Sequence, residues 1–250
     1  MINSKLREKL ESELSQEFSG WDFSYLKNRV EYSSLPWNYK EIIKRFFKNA
    51  NTCLDMGTGG GEFLDSIKDL PPQTYATEGY KPNIELACNR LNKRNIVVKE
   101  VNNDEKLPFE SDFFDLVINR HESYSVSEVL RILKPRSIFI TQQVGGMNNI
   151  DLNARLGAPE PNYYNWNLFK AIDDLKNNGF EIIEYDENIG YQRFYDTGSI
   201  AYYLKCIPWQ ICDFTINKYF SRLKLIDEYI EKHQHIDFIA HRFYIIAKNK

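Results

Sequence analysis

Short apolar runs alternate with amphipathic stretches through the middle of the chain. The runs are typical of buried strands, and the segments between them place apolar residues at helical spacing. Strands alternating with helices predict a doubly wound α/β fold, and with two later strands we expect a mainly parallel sheet of seven strands. The first five predicted strands lie at 52–56, 74–78, 96–101, 114–119 and 137–144.

The flanking segments carry further helical and strand patterns. A strand is predicted at 180–185, an amphipathic helix at 216–230 and a closing strand at 238–247. We expect a helical cap at 1–49, a core at 50–187, a lid-like insertion with the amphipathic helix at 188–237, and a closing core strand at 238–250. The cap is predicted to begin with a helix, ended by Gly20, whose apolar residues recur at every fourth position: Ile2, Leu6, Leu10, Leu14 and Phe18.

Composition narrows the classes of function. The formal net charge of -3 gives no overall positive field to attract nucleic acid. The four cysteines are scattered without a Cys-x-x-Cys pair, so neither a zinc site nor a disulfide framework is indicated. No apolar run approaches membrane length and no apolar signal core follows the first residue, so we expect a cytoplasmic protein without membrane association.

A glycine-rich segment marks the candidate ligand site. Gly57, Gly59 and Gly61 follow a predicted strand directly and precede a predicted helix, where a sharp turn and close ligand approach require glycine. Asp55 lies at the end of the same strand, and Glu78 closes the next one. A carboxylate at the Glu78 position can accept hydrogen bonds from both hydroxyls of a ribose.

The segment 54–61, with the sequence Leu-Asp-Met-Gly-Thr-Gly-Gly-Gly, matches the first motif of class I S-adenosylmethionine-dependent methyltransferases, and Glu78 matches their second-strand acid. Three further segments, 102–109, 113–117 and 129–135, resemble the motifs around strands three to five. The resemblance covers about residues 50–145. It implies a Rossmann-like core that binds S-adenosylmethionine and an enzyme that transfers its methyl group.

The resemblance also implies which residues contact the cofactor. Asn103 stands where the family usually has the aspartate that binds adenine, and Asp104 lies beside it. The family's Lys-Pro-Gly-Gly turn is replaced by Lys-Pro-Arg-Ser at 134–137, and we expect the turn to form with these residues. The expected cofactor-binding residues are Asp55, Gly57, Thr58, Gly59, Gly61, Glu78, Gly79, Asn103, Asp104, Asn119 and Arg120.

Two other classes of function remain open for the glycine loop. A nicotinamide-dependent oxidoreductase would need glycine at position 62, where Glu62 would instead repel a pyrophosphate at the helix amino terminus. A sulfonium cofactor carries no phosphate and tolerates this carboxylate. A protein that binds S-adenosylmethionine without catalysis is the second alternative.

The methyl acceptor is expected next to residues 119–122, which follow strand four. His121 has the proton affinity of a general base near neutral pH, although it and Glu122 can equally shape the loop through backbone contacts. The aromatic segments 1–49 and 188–213 favour a small-molecule acceptor that they would enclose. An RNA methyltransferase is the alternative, with Trp21, Trp37 and Tyr39 stacking on bases.

The histidines near the carboxyl end of the predicted helix at 216–230 suggest a metal site only weakly. His233 and His235 are separated by one residue, but no carboxylate or cysteine stands at a matching spacing. A surface or packing role is favoured, so no metal is expected.

Overall fold

Eight strands form one mixed sheet within residues 2–18 and 20–250, the part of the chain that the computed structural model describes. The sheet order is β1-β7-β8-β6-β5-β2-β3-β4. The strands are β1 (Val30–Tyr32), β2 (Thr52–Met56), β3 (Gln73–Glu78), β4 (Val97–Glu100), β5 (Phe114–Arg120), β6 (Leu133–Val144), β7 (Phe180–Phe194) and β8 (Ile236–Asn249).

Five neighbouring strands pair in parallel, in the order β6, β5, β2, β3 and β4. Every residue of β2 is buried, as a central parallel strand with both faces covered requires. Because parallel strands end at one edge of the sheet, the loops after β2, β3, β4 and β5 meet there. The α/β fold predicted from the sequence is therefore confirmed.

The prediction of a mainly parallel, seven-stranded sheet is wrong in two respects. β7 and β8 run antiparallel beside β6, so the sheet is mixed. β1 adds an eighth strand, pairing antiparallel with the far end of β7 from Val30 opposite Phe194 to Tyr32 opposite Gln192. The hydrophobic pattern gave no signal for β1, because none of its three residues is buried. Pairing with a long neighbouring strand holds it in place.

Nine α-helices lie among the described residues: α1 (Ile2–Ser15), α2 (Tyr39–Phe47), α3 (Glu62–Asp65), α4 (Lys81–Leu91), α5 (Val126–Ile132), α6 (Ile150–Leu156), α7 (Leu168–Asn177), α8 (Thr197–Cys206) and α9 (Ile216–His233). α1 confirms the predicted amino-terminal helix, although the side chain of Ile2 lies outside the described part of the structure. The helix predicted directly after the glycine-rich segment forms as α3, which is one turn long.

The additions at the two ends of the chain share one apolar core. Leu10 of α1, Ile200 of α8 and Leu223 of α9 are fully buried in a single cluster. β7 runs across the boundary at 187/188 that the sequence predicts for the insertion, and β8 begins at Ile236. The division into cap, core and insertion stays a prediction. No helix in the described residues is long and apolar enough to cross a membrane.

Candidate active site

The glycine loop between β2 and α3 turns through left-handed backbone conformations. Gly57 has a φ of +65°, and a Cβ atom there would lie 2.3 Å from Cγ of Glu122. Only glycine satisfies both the torsion angle and this close approach. The loop is tied to β3 by the amide of Thr58, which donates to the carbonyl of Thr77 at 2.9 Å.

Glu78 connects the glycine loop to the end of β3. Its Oε2 accepts a hydrogen bond from the amide of Gly59 at 2.7 Å. Its Oε1 accepts from the amides of Gly79 and Tyr80 at 3.0 and 2.8 Å. The side chain is buried at 3% exposure, so its carboxylate is fixed by backbone donors.

A cavity of about 280 Å³, here called the loop cavity, opens where β2, β3, β4 and β5 end. Five of the eleven predicted cofactor-binding residues line it: Gly57, Glu78, Gly79, Asn103 and Asp104. Five lining residues were not assigned to the cofactor from the sequence: Met56, Thr77, Val101, Asn102 and Glu122. Three of these, Met56, Thr77 and Asn102, are next in the chain to a predicted cofactor-binding residue, so the register of the strand ends could have indicated them.

The other six predicted residues are not part of the lining of the loop cavity. Thr58, Gly59 and Gly61 belong to the glycine loop, and Asp55 is buried under it. Asn119 is fully buried, and its Oδ1 accepts from the side chains of Thr141 and Gln143 at 2.9 and 2.7 Å. The guanidinium of Arg120 stacks over the ring of Phe63 at 4.0 Å.

Asn103 and Asp104 differ in what they offer to a ligand. The side-chain oxygen of Asn103 accepts from the amide of Glu105 at 2.8 Å, which closes a local turn. Asp104 lines the same cavity and accepts from the hydroxyl of Ser123. The Asp104 carboxylate keeps further acceptor capacity because it has a second oxygen.

A larger cavity of about 530 Å³, here called the aromatic cavity, shares Glu122 with the loop cavity. Residues 203–210 of the predicted insertion and the loop after β6 form much of its wall. Trp21 from the amino-terminal segment lies outside this lining, packs edge-on against Trp209 at 5.7 Å and lies close to Gly59. The aromatic residues that line the cavity are Tyr124, Tyr163, Trp166, Tyr203 and Trp209.

Comparison with known families identifies the central part of this site. The family model described as "Methyltransferase domain" matches residues 33–137, which include the glycine loop and all of β2 to β5. Residues 33–137 are therefore called the methyltransferase domain below. No curated protein sequence matches the chain.

Solved structures share the fold of the methyltransferase domain at low sequence identity. A methyltransferase candidate from Bacillus halodurans is 16% identical, with a TM-score of 0.60 over 84% of this chain and 98% of that one. Phosphoethanolamine N-methyltransferase 2 from Haemonchus contortus, solved with S-adenosyl-L-methionine, is 17% identical, with a TM-score of 0.51 over 85% of this chain and 52% of that one. The [4+2]-cyclase SpnF is 15% identical, with a TM-score of 0.50 over 84% and 80%. These likenesses support the fold alone.

Acidic side chains surround the loop cavity of the methyltransferase domain. Burial raises the pKa of Glu122, and the nearby carboxylates of Asp104 and Glu78 raise it further. Burial also raises the pKa of Asp55 to about 6, with the charge of Arg120 opposing the shift. A positively charged ligand in this cavity would relieve the repulsion between these groups.

His121 lies at the junction between the methyltransferase domain and the aromatic cavity. It has a φ of +65°, lines the cavity, and its Nε2 lies 3.0 Å from Nε2 of Gln142. His121 keeps exposed surface, but desolvation by the surrounding protein lowers the pKa of His121 well below its usual value, and the charges of Arg242 and Arg120 lower it further. The imidazole is therefore neutral at pH 7.

The histidine pair near the end of α9 is not part of this site. His233 stacks on Tyr229, with ring centroids 4.1 Å apart. Over residues 2–18 and 20–250, no group of three or more histidine, cysteine, aspartate or glutamate side chains is arranged to hold a metal ion.

Proposed function

We propose that the protein is an S-adenosylmethionine-dependent methyltransferase that acts on a small molecule. The observation that carries the proposal is the pair of cavities that share Glu122. One lies against the glycine loop of the methyltransferase domain, and the other is walled by aromatic side chains. This arrangement suits a cofactor and an acceptor held side by side.

The residues of the loop cavity fit S-adenosylmethionine better than a dinucleotide. No lysine or arginine occurs among the described residues that line it, whereas Glu78, Asp104 and Glu122 bring three carboxylates. A pyrophosphate would be repelled there, while a sulfonium cation would be stabilised. In this proposal Glu78 holds the ribose, and Asp104, whose second oxygen keeps acceptor capacity, takes the adenine amino group in place of Asn103.

When bound, S-adenosylmethionine supplies an electrophilic methyl group on a sulfonium sulfur. Glu78 and Asp104 would hold the cofactor in the loop cavity, and its methyl group would be transferred to an acceptor in the aromatic cavity, leaving a neutral thioether. The aromatic side chains exclude water from the acceptor, and the Glu122 carboxylate lies between the two ligands. The main task of the chain is to hold the reacting atoms in line at close range.

A catalytic role for His121 stays a prediction, and its hydrogen bonds constrain what that role can be. Nε2 of His121 faces the side-chain amide nitrogen of Gln142, so its lone pair is already engaged. We propose that His121 first positions the acceptor through Nδ1–H, and that it removes a proton only if Gln142 moves away.

The shape and charge of the aromatic cavity favour a small molecule over RNA. A nucleic-acid site requires an open groove with several lysines or arginines. The described lining of the aromatic cavity contains one arginine, Arg242, and one carboxylate, Glu122, and its other side chains are apolar or neutral polar. The two alternatives are RNA methylation and cofactor binding without catalysis, and the turnover assay described next distinguishes both from the proposal.

Calorimetry and a turnover assay test the proposal. S-adenosylmethionine and S-adenosylhomocysteine should each bind and stabilise the protein, by about 2.7 kcal/mol at a concentration 100 times the dissociation constant, whereas NADP should not. Release of S-adenosylhomocysteine should then be screened against small-molecule acceptors and bulk RNA. A response to NADP alone contradicts the proposal, turnover on RNA supports the alternative substrate, and binding without turnover on any acceptor supports a non-catalytic protein.

Two glycine variants give a matched control. Gly57→Ala should lose cofactor binding, because the new Cβ atom would meet Glu122 and φ is positive. Gly60→Ala should keep most of it, because the new atom would meet only the end of the flexible Glu62 side chain. Equal losses in both variants would mean that Gly57 has no special place in the site.

A further inference from the structure

A positive charge lies in the aromatic cavity without a carboxylate to balance it. Arg242 belongs to β8 and pairs with Val144 of β6, so the centre of the sheet fixes its position. It lines the aromatic cavity, and it is the only lysine or arginine among the described lining residues. Arg242 is half-buried, and burial among protein atoms lowers its pKa.

The hydrogen bonds of Arg242 use only part of its guanidinium group. Nη1 donates to Oδ1 of Asn148 at 2.6 Å and to the carbonyl of His241 at 2.8 Å. Among the described residues, neither Nε nor Nη2 has a hydrogen-bond partner, and no carboxylate lies within ion-pair distance. The side chains whose charges act on Arg242 are the phenols of Tyr203 and Tyr32, and neither is a carboxylate.

Arg29 shows what this chain does with an enclosed arginine that has a structural role. Its guanidinium donates to both oxygens of Glu13 and both oxygens of Asp196, so two carboxylates neutralise it. An enclosed guanidinium without such a partner is strongly unfavourable unless something else supplies the negative charge. Arg242 therefore has the character of a ligand-binding group.

The charges of the aromatic cavity are separated. Glu122 stands at the side shared with the loop cavity, and the charges that act on it are those of Asp104 and Glu78. Arg242 acts instead on His121 and on the tyrosine hydroxyls. A ligand in the cavity would meet a carboxylate near the glycine loop, apolar walls, and a guanidinium elsewhere in the same space.

We infer that the methyl acceptor is a small organic acid with an apolar, preferably aromatic, body, whose carboxylate pairs with Nε and Nη2 of Arg242. The inference rests on the proposed function. Two free donors on one planar group match the two oxygens of a carboxylate. A phosphate would bring more charge and more acceptors than this single arginine can satisfy.

Binding of simple probes to the full chain, saturated with S-adenosylhomocysteine, tests the inference. Phenylacetate should bind at least about tenfold more tightly than phenylacetamide, which has the same shape without the charge. Arg242→Gln should abolish this preference, and Arg242→Lys should keep a reduced one. Arg193→Gln removes an arginine that pairs with Asp237 outside the cavity and should leave the preference unchanged.

A stability measurement separates ligand binding from a structural role. Arg242→Met should raise the melting temperature of the unliganded protein, because it removes an enclosed charge that has no counter-charge. A lower melting temperature together with an unchanged phenylacetate preference would assign Arg242 to the fold alone and overturn the inference.

Further outcomes decide between the proposals. Equal binding of phenylacetate and phenylacetamide, or a preference that survives in Arg242→Gln, would overturn the inference, and tighter binding of phenyl phosphate would replace the carboxylate by a phosphate ester. Failure of S-adenosylhomocysteine to bind contradicts the proposed function itself. Binding of S-adenosylhomocysteine without a carboxylate preference contradicts only the inference about the acceptor.

Discussion

The indole nitrogen of Trp37 donates a hydrogen bond to Oε1 of Gln142 at 2.8 Å. Because the indole can only donate, the amide of Gln142 must present its oxygen to Trp37 and its nitrogen to His121. Nε2 of His121, 3.0 Å from that nitrogen, must then accept, so the proton of the neutral ring resides on Nδ1. A tryptophan in the segment before α2 thus sets the tautomer of a histidine in the candidate active site.

Trp37→Phe should remove the hydrogen bond to Gln142 and with it the control of the His121 tautomer. The phenyl ring can keep the edge contact with Tyr244, where the ring centroids are now 5.0 Å apart, but it cannot donate. The buried Oε1 of Gln142 then lacks its partner, which should lower the free energy of unfolding by roughly 1–3 kcal/mol. Nitrogen-15 NMR should show His121 as one tautomer in the parent protein and as a mixture in the variant, with His121→Asn identifying the signal. A single unchanged tautomer in Trp37→Phe would show that Trp37 does not control it.

Glu78→Ala should weaken both cofactor binding and the fold around the glycine loop. The variant removes the proposed ribose acceptor, which should reduce affinity for S-adenosylhomocysteine by roughly 1.5–3 kcal/mol. It also frees the amides of Gly59, Gly79 and Tyr80, so the free energy of unfolding should fall as well. Calorimetry on the folded variant measures the first effect, and denaturant unfolding measures the second. Glu62→Ala, which changes an exposed carboxylate beside the loop, is the control.

Asp115→Asn should destabilise the protein in a pH-dependent way. Burial tends to raise the pKa of Asp115, but Lys134 at 2.8 Å and donors from Asn51 and Thr52 outweigh it and lower the pKa to about 2. Because this pKa is below its unfolded value, the ionised carboxylate contributes about 2 kcal/mol above pH 4. That contribution should disappear as the pH falls from about 4 to 2. Urea unfolding of the parent and variant should therefore converge at low pH, whereas exposed Asp112→Asn should show no such convergence.

The parallel part of the fold can be predicted from the sequence because a local apolar run marks each of its strands. Thr52–Met56 and Phe114–Arg120 are apolar runs that end at the residues expected to form the site. Arg136 has a φ of +67° in the turn where the family has glycine, so the expected turn forms with other residues. β1 and the far end of β7 could not be predicted, because β1 has no buried residue and the two segments are held as strands by pairing with distant parts of the chain.

The candidate site also has one part that the sequence predicts and another part that it does not. The glycine loop and Glu78 occupy positions fixed by strand ends, so their place in the loop cavity could be predicted from motif spacing. Arg242 gave no such signal, because β8 brings it to the cavity that contains His121 and Glu122, which precede it by more than a hundred residues. The expectation that residues 1–49 and 188–213 enclose the acceptor remains part of the proposal: Tyr203 and Trp209 line the aromatic cavity, while Trp21 lies against Trp209.

The pH dependence of cofactor affinity should distinguish a sulfonium from a thioether. Burial raises the pKa of Asp55 to about 6, above its unfolded value. Asp55 therefore becomes protonated as the pH falls through 6. Above that pH, its ionised carboxylate destabilises the unliganded protein. A nearby sulfonium favours ionised Asp55, and binding of S-adenosylmethionine should therefore release a proton below about pH 6.

The affinity for S-adenosylmethionine should fall several-fold between pH 7.5 and 5.5, with an upper limit of about tenfold per pH unit below 6. S-adenosylhomocysteine carries no charge on sulfur and should show a weaker dependence, so calorimetry with both ligands in buffers of different ionisation enthalpy gives the comparison. Asp55→Asn should remove the difference, because its amide does not titrate. Parallel pH profiles for the two ligands in the parent protein would mean that Asp55 does not respond to the charge on sulfur. If the pH profiles of the two ligands still differ in Asp55→Asn, the group that responds to the charge on sulfur is Glu122, whose pKa is also raised by burial.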